Sequence, residues 1–133
     1  MKHYNVVCAV VLDSNQRVLC VRKGATRYPY TSFRWEFPGG KIEEGETLSQ
    51  ALHRELLEEL EYDVTVGKQL LTISHTYPDF AITMTAFLCT AASHGFKLTE
   101  HIEAKWATRE EVKELAWCAA DVPVVQLICD GLI

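Results

Sequence analysis

Three glutamates, Glu55, Glu58 and Glu59, are spaced i, i+3 and i+4 in a stretch whose apolar residues recur with a helical period. At about 100° per residue, that spacing gathers all three carboxylates within one arc of a helix surface. Like charges so placed repel by roughly a few tenths of a kcal/mol per pair, and only Arg54, with His53, stands nearby in sequence to compensate. A divalent cation reverses the sign. Hard oxygen ligands suit Mg2+ or Mn2+, and Mg2+ commonly combines a few carboxylates with waters and substrate phosphates, which would couple the cluster to a phosphorylated ligand. The competing reading of the same residues is a solvated acidic helix face, because glutamate is a good helix former.

The charge of the whole chain sharpens the choice. From Glu36 to Glu61, eight glutamates stand against Lys41 and Arg54, a local balance of −6 in a protein of net charge −5, so the remainder carries +1. The excess must be offset by solvent or by a bound cation. An acidic chain is poorly suited to neutralising a nucleic-acid backbone, so a small-molecule partner is expected rather than a nucleic-acid polymer.

The elements that must position these residues can be read on either side. Leu48, Ala51, Leu52, Leu56 and Leu60 recur at three- and four-residue spacing, and Thr47 with Gln50 forms a capping box, which predicts a helix from Thr47 onward. Upstream, the Val-rich stretch His3 to Leu12 and the stretch Arg17 to Arg22 flank Asp13-Ser14-Asn15-Gln16, predicting a β-hairpin. Gly24 to Arg34 reads as a loop running into Trp35-Glu36-Phe37-Pro38-Gly39-Gly40, where paired glycines after proline predict an unusual backbone turn. Downstream, Tyr62 to Tyr77 and Phe80 to Thr90 read as strands broken at Pro78-Asp79, with a short strand at Lys105 to Thr108. A second helix is predicted from Thr108 to about Trp117, and a third from Asp121 to Ile128 with Pro123 in its first turn. This order predicts a mixed α/β fold, and 133 residues without a linker or repeat predict one domain over 1–133.

Composition excludes other classes. Hydrophobic residues at 48% and charged residues at 23% are ordinary for a globular protein. The longest apolar run, Val6 to Leu12, is far short of the roughly 20 residues of a membrane span, so a cytoplasmic protein with no membrane partner is expected, as a monomer or weak dimer. Cys8, Cys20, Cys89, Cys118 and Cys129 form no C-x-x-C pair, lie mostly in apolar company and read as reduced core residues.

The register around the helix is specific. Gly40, five residues, Glu46, seven residues, Arg54-Glu55-Leu56, one residue, then Glu58-Glu59 matches the box G-x5-E-x7-R-E-U-x-E-E-x-G-U of the Nudix hydrolases, where U is a bulky apolar residue. The chain resembles that family. Six fixed residues would coincide by chance on the order of once in a hundred thousand sequences of this length. One position departs: Glu61 occupies the place of the last glycine, with Tyr62 in the final apolar slot. That glycine ends the helix with a left-handed backbone that glutamate adopts only at a cost, so a different helix exit is expected.

The likeness extends to Trp35-Glu36-Phe37-Pro38-Gly39-Gly40-Lys41, which is similar to the lead-in of the MutT-type branch. The resemblance implies a Nudix-type α/β/α sandwich with a mixed β-sheet. It implies hydrolysis of nucleoside triphosphates to a monophosphate and pyrophosphate, by attack at the β-phosphorus, with Mg2+ as cofactor or Mn2+ in its place. Carried over position by position, Glu55, Glu58 and Glu59 would bind metal together with the Gly39 carbonyl, while Arg54 and Glu46 support them. Glu100, six residues before Trp106, matches a mobile-loop glutamate that acts as metal ligand or base; Glu103 competes for that role and an ordinary surface acid is the plain alternative. Arg22 and Lys41 are candidate phosphate contacts. Phe37, Tyr77 and Phe80 are candidates to line a base pocket, although aromatics beside strands are more often core. Asp121 stands where MutT-type and cytidine-triphosphate-type members place a base-reading Asn or Asp; its other reading is an N-cap. An ionised Asp only accepts hydrogen bonds and would favour bases that present donors, such as the cytosine amino edge or an oxidised guanine.

Two rivals stay open at this point. One is a Nudix hydrolase of ADP-ribose or nucleotide sugars, although such enzymes often carry extra N-terminal structure that a chain opening on a strand does not predict. The other is a non-catalytic nucleotide-binding module, although such modules tend to lose box glutamates that here all stand.

Overall fold

The computed structural model describes residues 1–131 and 133. Its strands are β1 (Lys2–Leu12), β2 (Val18–Arg22), β3 (Trp35–Glu36), β4 (Gly39–Lys41), β5 (Val64–Thr76), β6 (Phe80–Ala91) and β7 (Glu103–Ala107). The helices are α1 (Leu48–Leu60), α2 (Arg109–Glu114) and α3 (Val122–Cys129), the last preceded by a 3-10 turn at Ala119–Asp121. Among the described residues, the strands form one mixed sheet of order β3-β2-β1-β6-β5, with β4 also on β1 and β7 also on β2.

β1 is the central strand, and its continuous apolar run follows from being covered on both faces. Val7, Ala9 and Val11 join Leu19 and Val21 of β2 in a core closed by Ala51, Leu52, Leu56 and Leu60 of α1. The alternate residues Cys8 and Val10, with Val18 and Cys20, face a second core with Val112 of α2 and Val124, Val125 and Ile128 of α3. Helices thus cover both faces of the sheet, which is the α/β/α sandwich expected from the sequence. No helix among the described residues is long and apolar enough to cross a membrane.

The pairing departs from the expected hairpin. The turn is there, with Asp13 Oδ1 accepting from the backbone N–H groups of Asn15 and Arg17 at 2.9 and 2.8 Å. The strands it joins meet in register only at Leu12 and Val18. β1 instead pairs in parallel with β6 along its full length, from Lys2 with Phe80 to Leu12 with Thr90. β4 takes the other edge of β1 at Val6, Val7 and Cys8. β2 is left to pair with β7 and β3.

β4 also corrects the reading of the paired glycines. Gly39 and Gly40 are extended strand residues and make no tight turn; what they provide is close approach. A Cβ on Gly39 would collide with the Val7 carbonyl oxygen, and one on Gly40 would run into the Glu55 carboxylate.

The helix ends differ in instructive ways. α1 begins with the expected capping box, both Thr47–Gln50 bonds being present. Its exit contradicts the expectation: Glu61 itself takes the left-handed conformation, φ 48° and ψ 38°, and its N–H donates to the Leu57 carbonyl at 3.0 Å. The Tyr62 N–H reaches Leu56 O at 3.2 Å, and burial of the Tyr62 ring holds the turn at a cost of about 1 kcal/mol for the missing glycine. α2 is shorter than expected because residues 116–118 leave to bridge β3. The Trp35 N–H donates to Ala116 O, the Cys118 N–H donates to Trp35 O, and the Trp117 indole N–H donates to Val112 O. β7 starts two residues earlier than expected because it pairs with the whole of β2.

Candidate active site

A cavity of about 650 Å³ opens beside β1, bounded by the loop after β2, by β3 and β4, by the acidic face of α1 and by the loop before β7. One end is acidic. Glu36, Glu55, Glu59 and Glu100 line it together with Gly39, Gly40 and Lys41. Glu59 is half-buried, and burial first, then the charges of Glu36, Glu55 and Glu100, push its carboxyl up to about 8. A shift of that size and cause marks a group whose charge lacks compensation from its protein neighbours.

Arg54 organises the outer side of this cluster. Its Nε and Nη2 donate to the two carboxylate oxygens of Glu46 at 2.7 and 2.9 Å. Nη1 donates to Glu55 at 2.9 Å and to Glu58 at 3.2 Å, and Nη2 also reaches the Lys41 carbonyl at 3.0 Å. Glu46 in turn accepts from the Glu43 N–H at 2.8 Å. The Arg54 hydrogen bonds, with that backbone bond second, hold the Glu46 carboxyl down at about 2. A planar fork gripping three carboxylates and a carbonyl fixes the Gly40–Glu46 loop against α1.

The donor set can be tested for a divalent cation. Glu55, Glu59, Glu100 and the backbone of Gly39 are hard oxygen donors on one cavity wall, and the unrelieved repulsion at Glu59 is what a bound cation would remove. The donors therefore fit Mg2+ or Mn2+ in kind. Among the described residues, no three acidic, His or Cys side chains lie close enough together to hold an ion as they stand. Glu58, 60% exposed and turned to Arg54, lies outside the cavity lining.

Aromatic side chains line the cavity as well. Phe37, Tyr77 and Phe80 all line it. Phe37 is buried and stacked on Trp117 with centroids 4.5 Å apart, so it acts first as a wall. Tyr77 accepts the Ala120 N–H at its hydroxyl, 3.0 Å away, and packs on Phe80 at 4.9 Å. Lys41 sets its ammonium 4.2 Å above the Tyr4 ring, at the cavity edge. Arg22 is not brought to the cavity: its guanidinium donates to Phe33 O and to Glu103. Glu103 is thereby drawn away as well, which leaves Glu100 as the loop acid at the site.

Asp121 lines the cavity and stands at the N-cap position of α3 without capping it. It makes no capping bond, has helical φ and ψ, and is 4% exposed; its Oδ1 accepts the Phe37 N–H at 3.2 Å. The bend into α3 turns the side chain inward, where burial first and Glu36 second push its carboxyl well above the carboxylate range.

Three cavity residues were not anticipated. Lys23 lies 3.7 Å from Glu36, and His101 Nε2 lies 2.9 Å from the other Glu36 oxygen. Burial opposes the Lys23 charge, but Glu36, Cys118 and Asp121 outweigh it and raise its pKa. Nothing in the sequence distinguishes Lys23 from its neighbour Arg22. His101 was legible only as the neighbour of Glu100, and Glu36 only as part of the acidic excess.

Comparison with known proteins agrees with this architecture. Residues 1–128 match the family described as NUDIX domain. The chain is 40% identical over 92 residues to an 8-oxo-dGTP diphosphatase of Proteus vulgaris, covering 67% of this chain and 78% of the relative. It is 29% identical over 126 residues to a CTP pyrophosphohydrolase of Escherichia coli (strain K12), covering 95% and 91%. The fold superposes on the crystal structure of a MutT protein from Methanosarcina mazei Go1 with a TM-score of 0.85 at 20% identity, covering 98% of this chain and 95% of that one. With Arg54 holding Glu46, Glu55 and Glu58, and with Glu55 and Glu59 on the cavity wall, the chain belongs to the NUDIX family.

Proposed function

We propose that this protein hydrolyses nucleoside triphosphates to a monophosphate and pyrophosphate, taking either an oxidised purine such as 8-oxo-dGTP or a cytidine nucleotide such as CTP or dCTP. The observation that carries the reading is that one cavity is lined both by an acidic cluster, where Glu59 is crowded by Glu36, Glu55 and Glu100, and by the aromatic residues Phe37, Tyr77 and Phe80 with Asp121. A polyphosphate and a base need those two environments at opposite ends of one ligand. The names of the diphosphatase and pyrophosphohydrolase relatives support the same class.

Glu55, Glu59, Glu100 and the Gly39 carbonyl would hold Mg2+, or Mn2+ in its place, with Glu58 added on leaving Arg54. The ion, when bound, neutralises polyphosphate charge and lowers the pKa of a coordinated water. Arg54 keeps Glu55 turned to the cavity, and Lys41 stands at its rim where phosphate oxygens would lie. A carboxylate at the acidic end takes the proton of the attacking water, with Glu100 the candidate carried on a loop. At the far end, Tyr77 and Phe80 offer ring faces to the base. Asp121, its Oδ1 holding the Phe37 N–H, is a polar group of the cavity wall that would read the base. The protein acts in the cytoplasm as a monomer or weak dimer.

A phosphate-release assay over 8-oxo-dGTP, dGTP, CTP, dCTP and ADP-ribose with and without Mg2+, coupled to pyrophosphatase for the triphosphates and to alkaline phosphatase for ADP-ribose, tests this reading. Mg2+-dependent turnover of one of the triphosphates is expected. Turnover of ADP-ribose alone, or of nothing, would refute it.

A further inference from the structure

The reading of Glu100 as an acid at the reacting end leaves open what keeps a loop residue there. The loop is fastened on both sides of Glu100. Before it, the Lys97 N–H donates to Leu60 O at 2.7 Å, and the Thr99 hydroxyl donates to Glu59 O at 2.6 Å, so the loop is tied to the end of α1. After it, His101 reaches across the cavity to Glu36 at 2.9 Å, and the Ile102 N–H donates to Arg22 O at 3.0 Å. Glu100 is the tip between these anchors.

The His101 anchor is costly to the fold by itself. Its side chain is only 5% exposed, with Nε2 2.9 Å from a Glu36 oxygen. Nδ1 is a buried polar atom with no hydrogen-bond partner among the described residues. An apolar side chain of similar size would fill the space without stranding a polar atom. The ring therefore serves the bond to Glu36, and Glu36 belongs to β3, the short strand paired with β2 that leads into the box.

We propose that His101 is a positioning residue: by donating from Nε2 to Glu36 it holds the Thr99–Ile102 segment so that the Glu100 carboxylate stays at the Glu59 end of the cavity. The proposal rests on the role given to Glu100 under the proposed function. It distinguishes His101 from a base-contacting group, because its loss acts on the chemical step through Glu100 and leaves nucleotide binding in place.

The test is a mutant cycle on the full chain, with the preferred nucleotide of the panel above. His101→Ala is expected to lower kcat about tenfold or more, as loss of a supporting partner does, while KM stays within about twofold. His101→Gln, whose amide nitrogen can reach Glu36, should recover most of kcat. In a Glu100→Gln background, His101→Ala should change kcat less than about twofold, because both changes remove one function. Backbone hydrogen exchange over residues 99–102 should quicken in His101→Ala, return in His101→Gln, and leave α1 unchanged. Should His101→Ala not fold, His101→Asn, too short to reach Glu36, takes its place and must show the same loss. Wild-type kcat without the His101–Glu36 bond, or an equal loss in both backgrounds, overturns the proposal. A silent Glu100→Gln single variant would instead remove the role of Glu100, and with it the residue that His101 is held to position.

Discussion

Glu46 and Arg54, eight residues apart across the start of α1, are joined by two parallel hydrogen bonds of 2.7 and 2.9 Å. The same guanidinium holds Glu55 and Glu58, so the orientation of two box glutamates depends on a residue that need not touch substrate. Arg54→Lys keeps the charge and loses the fork. The expected outcome is a loss of about 10- to 100-fold in kcat/KM or in Mn2+ affinity. Steady-state kinetics and Mn2+ titration on the folded variant check it.

The same pair sets a pH dependence of stability. Glu46 is held down at about 2 against an ordinary 4.5, by its bonds to Arg54 first. A carboxyl depressed in the folded state contributes stability that is fully present above its unfolded value. That contribution fades as pH falls from about 4.5 through about 2. Urea unfolding of wild type and Glu46→Gln between pH 2 and pH 7 should therefore show a stability gap that is largest at neutral pH and closes in acid. A gap independent of pH would separate Glu46 from this role.

The two glycines of β4 should respond oppositely to alanine. A Cβ on Gly39 meets backbone of β1, which cannot move aside cheaply, so Gly39→Ala should destabilise the fold by about 1–3 kcal/mol in denaturant unfolding. A Cβ on Gly40 meets only the Glu55 carboxylate, which can swing away. Gly40→Ala should thus stay folded with a melting temperature near wild type and weakened cation binding and turnover.

Much of this was legible in the sequence, and the reasons for the exceptions are physical. The α1 capping box and its buried stripe follow from local spacing, and the grouping of Glu46, Arg54 and Glu55 was implied by the family resemblance. The hairpin failed because β4 competes for the edge of β1, a long-range contact that no local pattern records. Glu61 kept the left-handed exit because the buried ring of Tyr62 outweighs a conformational preference of about 1 kcal/mol. Lys23 lines the cavity and Arg22 does not because the strand ends between them, and the inward turn of Asp121 depends on where the chain leaves its pairing with Trp35 at Trp117 and Cys118.

Asp121 offers a test of selectivity. Asp121→Asn keeps an acceptor for the Phe37 N–H and always presents a donor, so the fold should hold while preference among bases changes. The ratio of kcat/KM between two triphosphates of the panel should move by about tenfold or more. Asp121→Leu strands the buried Phe37 N–H and should cost about 1–3 kcal/mol of stability in denaturant unfolding.

The most direct measurement is an electron-paramagnetic-resonance titration of Mn2+ into wild type, Glu59→Gln and Glu44→Gln, the last an exposed acid away from the cavity lining. The expected result is saturable binding to wild type and to Glu44→Gln that weakens about tenfold or more in Glu59→Gln. Equal Mn2+ binding by all three proteins would contradict the assignment of the acidic end of the cavity as a cation site.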